Sequence, residues 1–272
     1  MIKYISVKMS GLKKVLKKNL SQSSIKSYRF IRTCLNRFIW HGEKVECNIC
    51  GSHLKRWKLY GDKSKKNPVC PVCNSFGRHR FLWYCIQNNI INIESDHKIL
   101  HIAPELSIRN LLEKKIEEKN YITADLYEDD VTIKLDITKT LLPDCAYDWI
   151  ICSHVMEHVN DDDKALSECY RILKPGGKLI VQVPLGNNSI TIEDSNIKEP
   201  CLREKVYGQS DHVRLYGQDI NDRIISNGFD VTVLDPKTQF ENKIFERFAF
   251  DLPEISTSKY ESESKIFLCG KI

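Results

Sequence analysis

Residues 147–184 read YDWIICSHVMEHVNDDDKALSECYRILKPGGKLIVQVP. The apolar run WIIC at 149–152 is short and bounded, as expected of a strand buried on both faces. Residues 153–158 form a polar turn. Asn160 or Asp161 can cap the next helix, and the acids at 161–163 complement its positive N-terminal end. Ala165, Leu166, Cys169, Ile172 and Leu173 recur at helical spacing and give one apolar stripe. Pro175-Gly176-Gly177 should end that helix, because Pro cannot continue it and Gly tolerates positive φ. Residues 179–183 then read as a second buried strand. Strand, helix and strand in this order form a βαβ unit, which implies a parallel sheet.

The flanking chain repeats the alternation. Residues 98–103 (KILHIA), 121–126 (YITADL) and 132–137 (TIKLDI) read as three earlier strands, with a helix over 105–115. A late helix is expected over 218–228, and the last two strands, 230–234 and 265–269, as an antiparallel pair at the sheet edge. The fold class is therefore α/β, a doubly wound, Rossmann-like sheet. Ligands on such sheets bind outside the carboxyl ends of the strands. That rule selects His101, Ala103, Pro104 and Glu105 after the first strand, Asp125 and Leu126 after the second, Asp136 and Ile137 after the third, and Ser153 and His154 after the fourth. Asp125 lies twenty residues beyond Glu105, the separation at which this architecture hydrogen-bonds a ribose diol. The plainer alternative is a capping or surface acid.

The order Asp148, apolar strand, Glu157-His158, acidic cluster, helix, Leu173-Lys-Pro-Gly-Gly177 resembles the second half of class I S-adenosylmethionine-dependent methyltransferases of the type 11 kind, over roughly residues 98–235. The resemblance implies S-adenosylmethionine as cofactor. It places Asp136 near the adenine amino group, Ile137 against the ring, and Ser153 and His154 beside the methionine portion and the methyl group. The chain departs from the pattern after the first strand, where most relatives carry G-x-G-x-G and residues 101–105 hold no glycine. His154-x-x-Glu157-His158 also matches an inverted zinc-protease motif, but that motif needs both histidines on one helix face. Here a buried strand precedes it and a helix cap follows. Some RNA-end methyltransferases hold Mg²⁺ with a similar Glu-x-x-Glu-His motif and a distant histidine. His154 replaces the first Glu here, and His212 would be the distant partner.

Residues 185–217 form a long polar connection placed to cover the site. Methyl transfer from a sulfonium is an in-line displacement, so catalysis is mostly alignment and water exclusion. A base is needed only for a hydroxyl or amine acceptor. His212 is the first candidate, followed by His158 and His154. Arg214 suits an anionic acceptor group, and the plainer reading is that residues 211–214 pin the connection in place.

Upstream, Cys47-x-x-Cys50 and Cys70-x-x-Cys73 enclose nineteen residues, the spacing of a four-cysteine zinc ribbon. Each pair lets one tight turn aim two sulfurs at one ion, and four ligands leave no open position, so the zinc should be structural. Gly51 and Asn74 follow the two pairs and suit left-handed turn positions. Two unrelated pairs or a redox dithiol are the alternatives. Arg78-His79-Arg80 opens a linking helix with a stripe of Phe81, Leu82, Cys85 and Ile86. A structural or phosphate-facing role is expected for the two arginines.

Residues 1–40 hold ten Lys/Arg and no Asp/Glu, whereas the whole chain is only +5. Leu12, Val15, Leu16 and Leu20 suggest a basic amphipathic helix, which fits an anionic membrane surface, RNA, or packing on the body, and partly resembles a transit peptide. The expected division is 1–44 basic arm, 45–88 ribbon and linking helix, and 89–272 methyltransferase domain. Of eleven cysteines, the seven outside the two C-x-x-C pairs are scattered, which suits a reducing compartment, so a cytoplasmic, membrane-peripheral protein is expected. No run of about eighteen apolar residues is present. The expected acceptor is a small molecule or a sugar. A zinc-ribbon, ribosomal-RNA-type methyltransferase and a non-catalytic binding module are the alternatives.

Overall fold

The structure is a computed structural model that describes residues 22–61, 67–251 and 260–272. The leucine stripe expected over residues 12–20 lies outside them, as does the loop at 62–66. The centre is a seven-stranded sheet built from β5 (Ile99–Ile102), β6 (Tyr121–Asp125), β7 (Ile133–Lys134), β8 (Tyr147–Ser153), β9 (Leu173–Gln182), β13 (Phe229–Leu234) and β15 (Ile266–Lys271). Its strand order is β13-β15-β9-β8-β5-β6-β7. All neighbours pair in parallel except across β15, which runs antiparallel to both β9 and β13. β15 therefore sits inside the sheet and β13 forms its edge. The sheet is the doubly wound α/β arrangement read from the alternation.

Side-chain alternation explains the apolar runs. Leu100, Ile150, Cys152, Leu179 and Val181 face one side, with α4 (Asp162–Ile172) and α6 (Ile220–Ser226) packed there. Ile99, Trp149, Ile151 and Ile180 face the other, under α2 (Gly77–Gln87) and α3 (Leu106–Lys115). Each fully buried aliphatic side chain contributes about 1.5–3 kcal/mol, so both faces must be covered. The linking helix α2 supplies Phe81, Leu82, Cys85 and Ile86 to this main core. It is thus a layer of the sheet domain as well as a connection. Burial pushes the Cys169 thiol up to about 12, which leaves it a packing residue.

Two details differ from expectation. Helix α4 is capped by Asp161, whose carboxylate accepts from Lys164 N at 3.0 Å, but it ends at Ile172, and Pro175-Gly-Gly lies within β9. The partner of Leu173 is Tyr147 and that of Lys178 is Trp149, so 174–177 bulge out of the ladder. Pro175 has no N–H to pair, and a Cβ on Gly177 would lie 2.8 Å from the Lys174 carbonyl oxygen. The third strand, expected over 132–137, pairs only at Ile133–Lys134. Asp136 turns the chain by accepting from Thr138 N at 2.8 Å.

Ahead of the sheet domain, α1 (Gln22–Ile39) leads into two small hairpins. These are β1 (His41–Cys47) with β2 (Ser52–Leu54), and β3 (Lys58–Tyr60) with β4 (Asn67–Val69). The second hairpin is followed by the turn that carries Cys70 and Cys73, and then by α2. The late chain adds α5 (Pro200–Tyr207), α7 (Pro236–Gln239) and α8 (Asn242–Phe248), with the short pairs β10 (Leu185–Gly186) and β14 (Tyr260–Ser262), and β11 (Ile192–Glu193) and β12 (Arg214–Leu215). No helix of the described residues is long and apolar enough to cross a membrane.

Candidate active site and four-cysteine centre

A cleft of about 610 Å³ opens at the carboxyl ends of β5 to β8. Ala103, Asp125, Leu126, Asp136, Ile137, His154 and His158 line it, together with Asp161 and Asp211. Two of the strand-end residues are in the left-handed region, Ala103 (φ 46°) and His154 (φ 56°). Ala103 takes the conformation that a glycine would adopt freely, at a cost of about 1–2 kcal/mol. It is pinned by Ala103 N donating to Ala124 O at 2.7 Å. The missing Gly-rich loop is thus replaced by one strained alanine.

Asp125 and Asp136 are built alike. Asp125 Oδ1 accepts from the amides of Tyr127 (2.7 Å) and Glu128 (2.8 Å). Asp136 Oδ1 accepts from Thr138 N (2.8 Å) and Thr138 Oγ1 (2.7 Å). In each case Oδ2 makes no bond among the described residues. The Thr138 hydrogen bonds hold the Asp136 carboxyl below its ordinary value.

Other residues selected from the strand ends do not line the cleft. Ser153 Oγ donates to Gln182 Oε1 at 3.1 Å inside the sheet. Pro104 leads into α3. Glu105 stands at the N-terminus of α3, where its carboxylate meets Arg78 Nη2 at 2.5 Å and His79 Nε2 at 2.6 Å. Burial pushes the Glu105 carboxyl up, but Arg78 and His79 more than offset this and hold it well below the carboxylate range. His79 Nδ1 accepts from Phe76 N at 3.1 Å, which leaves Nε2 to face Glu105. The start of α3, next to the cleft, is therefore clamped by the linking helix. Sequence reading linked neither Arg78 nor His79 to Glu105, because their contact spans 27 residues of chain.

His101 is 1% exposed, with Nδ1 2.7 Å from Tyr121 Oη. Burial pulls it down to about 4. It stays neutral in the fold, while in the unfolded chain it takes a proton near pH 6.5. As pH falls below about 6.5, only the unfolded chain gains that proton, so stability declines until the folded value is reached, by about 3 kcal/mol in all. The expected result is a melting temperature that drops steadily from pH 6.5 toward 5, and a flatter profile for His101→Gln. A profile for the parent protein that is flat over this range would count against it.

The Glu157 loop is the second focus. Glu157 is 1% exposed, and neither carboxylate oxygen has a well-aligned hydrogen bond. His154 Nδ1 approaches its Oε1 to 3.2 Å, while His154 Nε2 lies 3.1 Å from the Glu263 carbonyl oxygen. Both ring nitrogens of His154 are thereby engaged. His158 Nδ1 faces Asp211, at 3.5 Å from Oδ2. His212 is wholly buried behind it, the rings edge to face at 4.7 Å, and its Nε2 has no partner. Burial lowers the His212 value. The donor atoms of Glu157, His158 and His212 all lie within 4.8 Å of one another. Arg214 is buried and fully engaged by Glu193 (2.8 Å), Val159 O (2.5 Å), Asn160 O (3.0 Å) and Asp162 (3.3 Å). It pins the Glu157 loop, as the plainer reading had it, and has no free edge for an anionic acceptor.

The cysteine pairs converge as their spacing predicts. Cys47 and Cys73 sulfurs lie 3.6 Å apart and those of Cys50 and Cys70 3.8 Å apart. Four thiolates about 2.3 Å from one zinc would sit about 3.8 Å from each other in a tetrahedron, so the donor set fits. Gly51 (φ 65°) and Asn74 (φ 62°) take the left-handed positions. Gly51 N donates to Cys47 O at 2.8 Å and Asn74 N to Cys70 O at 2.9 Å. None of the cysteines forms a disulfide. Hydrogen bonds from Cys50, Cys70 and Cys73 push the Cys47 thiol well below its usual value. Beside them Arg80 is completely buried. Its guanidinium lies 4.0 Å from the Trp57 ring centre and donates to the carbonyls of Ser75 (2.7 Å), Pro68 (2.9 Å), Phe248 (2.5 Å) and Ala249 (2.7 Å). Its role is structural. It stitches the cysteine hairpins to the late chain, and its charge favours an ionised Cys47.

Residues 84–181 match a family described as "Methyltransferase domain". The ubiquinone/menaquinone biosynthesis C-methyltransferase UbiE of Methylococcus capsulatus is 28% identical over 126 residues, 39% of this chain and 50% of that enzyme. The chain thus spans about half the length of this curated relative. Among solved structures, YcgJ from Bacillus subtilis superposes with a TM-score of 0.48 at 15% identity, covering 71% of this chain and 98% of that one. Phosphoethanolamine N-methyltransferase 2 of Haemonchus contortus, in complex with S-adenosylhomocysteine, gives 0.48 at 14%, covering 69% and 52%. Over residues 84–181 the chain matches a methyltransferase domain.

Proposed function

We propose that this chain methylates an uncharged small molecule or a sugar, drawing the methyl group from S-adenosylmethionine bound in the cleft, and that a structural zinc held by Cys47, Cys50, Cys70 and Cys73 braces the domain. The observation that carries the reading is the pair of strand-end carboxylates. Asp125 and Asp136 each have one oxygen fixed by neighbouring donors and the other free among the described residues, which suits Asp125 to accept from a ribose diol and Asp136 to accept from an adenine amino group, as the family resemblance implies. The sulfonium supplies the methyl group. The residues of the chain hold and orient both reactants and exclude water.

Acceptor charge follows from the rim. With Asp125 and Asp136 turned to the cofactor, Asp161 and Asp211 remain as the charged groups of the cleft wall, and no Lys or Arg of the described residues lines it. A phosphate backbone brought to this mouth would meet carboxylates, which favours a neutral acceptor over RNA. Where the acceptor is a hydroxyl or amine, His158 is the base. It lines the cleft, its Nδ1 faces the Asp211 backbone carbonyl at 3.4 Å with the carboxylate beside it at 3.5 Å, and its Nε2 is free among the described residues. His212, ranked first from the sequence, does not line the cleft and supports His158 from behind.

Calorimetry with S-adenosylmethionine and its demethylated product tests the reading. Both should bind the parent protein, and Asp125→Ala should weaken binding about 10–100-fold through loss of a charge-assisted hydrogen-bond pair. Absence of binding at millimolar concentration would leave a zinc-ribbon binding module in place of an enzyme.

A further inference from the structure

Helix α1 is amphipathic in the opposite sense from a helix that packs on a core. At 100° per residue, Phe30, Cys34, Phe38, Ile31, Leu35 and Ile39 follow one another around about half of its circumference. All six are exposed, Phe30 by 71% and Phe38 by 86%. The polar side is the one that docks. Asn36 Nδ2 donates to Pro71 O at 2.8 Å and Arg37 Nη2 to Cys50 O at 3.1 Å, both on the cysteine hairpins. An amphipathic helix on a globular protein normally turns its apolar stripe inward. Here the cysteine centre holds the helix by its polar face and presents the stripe outward. Among the described residues nothing covers it.

We infer that this outward face of α1 is a docking surface for an anionic lipid bilayer. It is a property separate from methyl transfer and from the cleft. The charge around the stripe selects the occupant. Residues 22–39 contain four Lys/Arg and no acid, and residues 1–21 contain six and no acid. A second copy of the helix, or the chain's own first 21 residues, would add further positive charge with no acid to balance it. A bilayer with anionic headgroups accepts the basic residues at its surface and the two phenylalanines and three aliphatic side chains in its acyl boundary. Single-stranded RNA would use the aromatic rings for stacking, but not Ile31, Leu35 and Ile39. The hydrogen bonds of Asn36 and Arg37 to the cysteine hairpins would tether the rest of the chain to the lipid surface.

The test uses the full chain and sedimentation with two kinds of vesicle, phosphatidylcholine alone and phosphatidylcholine containing roughly one third phosphatidylglycerol. Binding is expected to the second kind only, and to decline as salt rises. The double variant Phe30→Ser, Phe38→Ser removes two exposed side chains that touch neither site, so its melting temperature and cofactor affinity should match those of the parent. Its partitioning to the vesicles should fall by at least about tenfold. Any of three results overturns the inference: no sedimentation with the anionic vesicles at low salt, equal binding by the double variant, or a dimer of the free protein that the double variant dissolves. Binding of single-stranded RNA that the double variant loses, without vesicle binding, overturns it equally.

Discussion

Cys47→Ala is expected to empty the four-cysteine centre, taking the bound metal from about one zinc per chain to none and lowering the melting temperature on the order of 10 °C. The effect is large because zinc binding to such small hairpins rivals the whole stability of a domain. It also spreads. Arg80 is wholly buried between the cysteines and the carbonyls of Phe248 and Ala249. Without the hairpins it becomes a buried cation with part of its hydrogen bonding gone, which is strongly unfavourable. Arg78 and His79, on the next residues of the same helix, clamp Glu105 at the start of α3. Loosening α2 should therefore weaken cofactor binding too, although no cysteine approaches the cleft. Metal analysis, limited proteolysis within residues 45–76 and calorimetry read the three effects. A zinc-free variant with unchanged melting temperature and protease resistance would falsify the structural role.

His158→Ala is expected to reduce kcat by about 10²–10⁴-fold for a hydroxyl or amine acceptor, the range for losing a positioned general base. Affinity for S-adenosylmethionine should barely change, because the proposed function assigns the cofactor to Asp125 and Asp136 and only the acceptor to His158. Asp211→Asn should have a much smaller effect in the same direction, since it removes only the exposed carboxylate beside the imidazole and keeps the backbone carbonyl that Nδ1 faces. His212→Phe keeps the buried ring and should preserve most of the rate. If His158→Ala left kcat intact and His212→Phe abolished it, the assignment would have to be exchanged between them. An unchanged kcat in both would point to an acceptor that needs no base.

Much of this was legible without coordinates, for local reasons. A parallel strand buried on both faces must be apolar throughout, so residues 149–152 and 179–183 announce themselves. A C-x-x-C turn aims two sulfurs at one point whatever surrounds it, so both pairs and the left-handed Gly51 and Asn74 could be placed from spacing. Asp125 and Asp136 followed from the rule that ligands meet the carboxyl ends of strands. Class I methyltransferase resemblance rested on the same short-range order.

What spacing cannot carry is the choice among partners far apart in the chain. Glu105 and Ser153 lie at strand ends, as selected, yet Arg78 and His79 claim the one and Gln182 the other. His101 alternates into the sheet and not toward the cleft. His158 and His212 are equivalent as residue types, and only the fold of the 185–217 connection puts one at the mouth and the other behind it. Arg214, an exposed cation by composition, is the buried pin of that same connection. The sequence by itself determined the sheet, the cysteine centre and the acidic rim, because each depends on periodicity or on a turn a few residues long. Tertiary structure alone decided which histidine meets the cleft, which acid is bound to arginine, and that α1 turns its apolar side outward. Each of these depends on which buried charges and hydrogen bonds are satisfied across more than ten residues of intervening chain, and that is settled only when the layers close on one another.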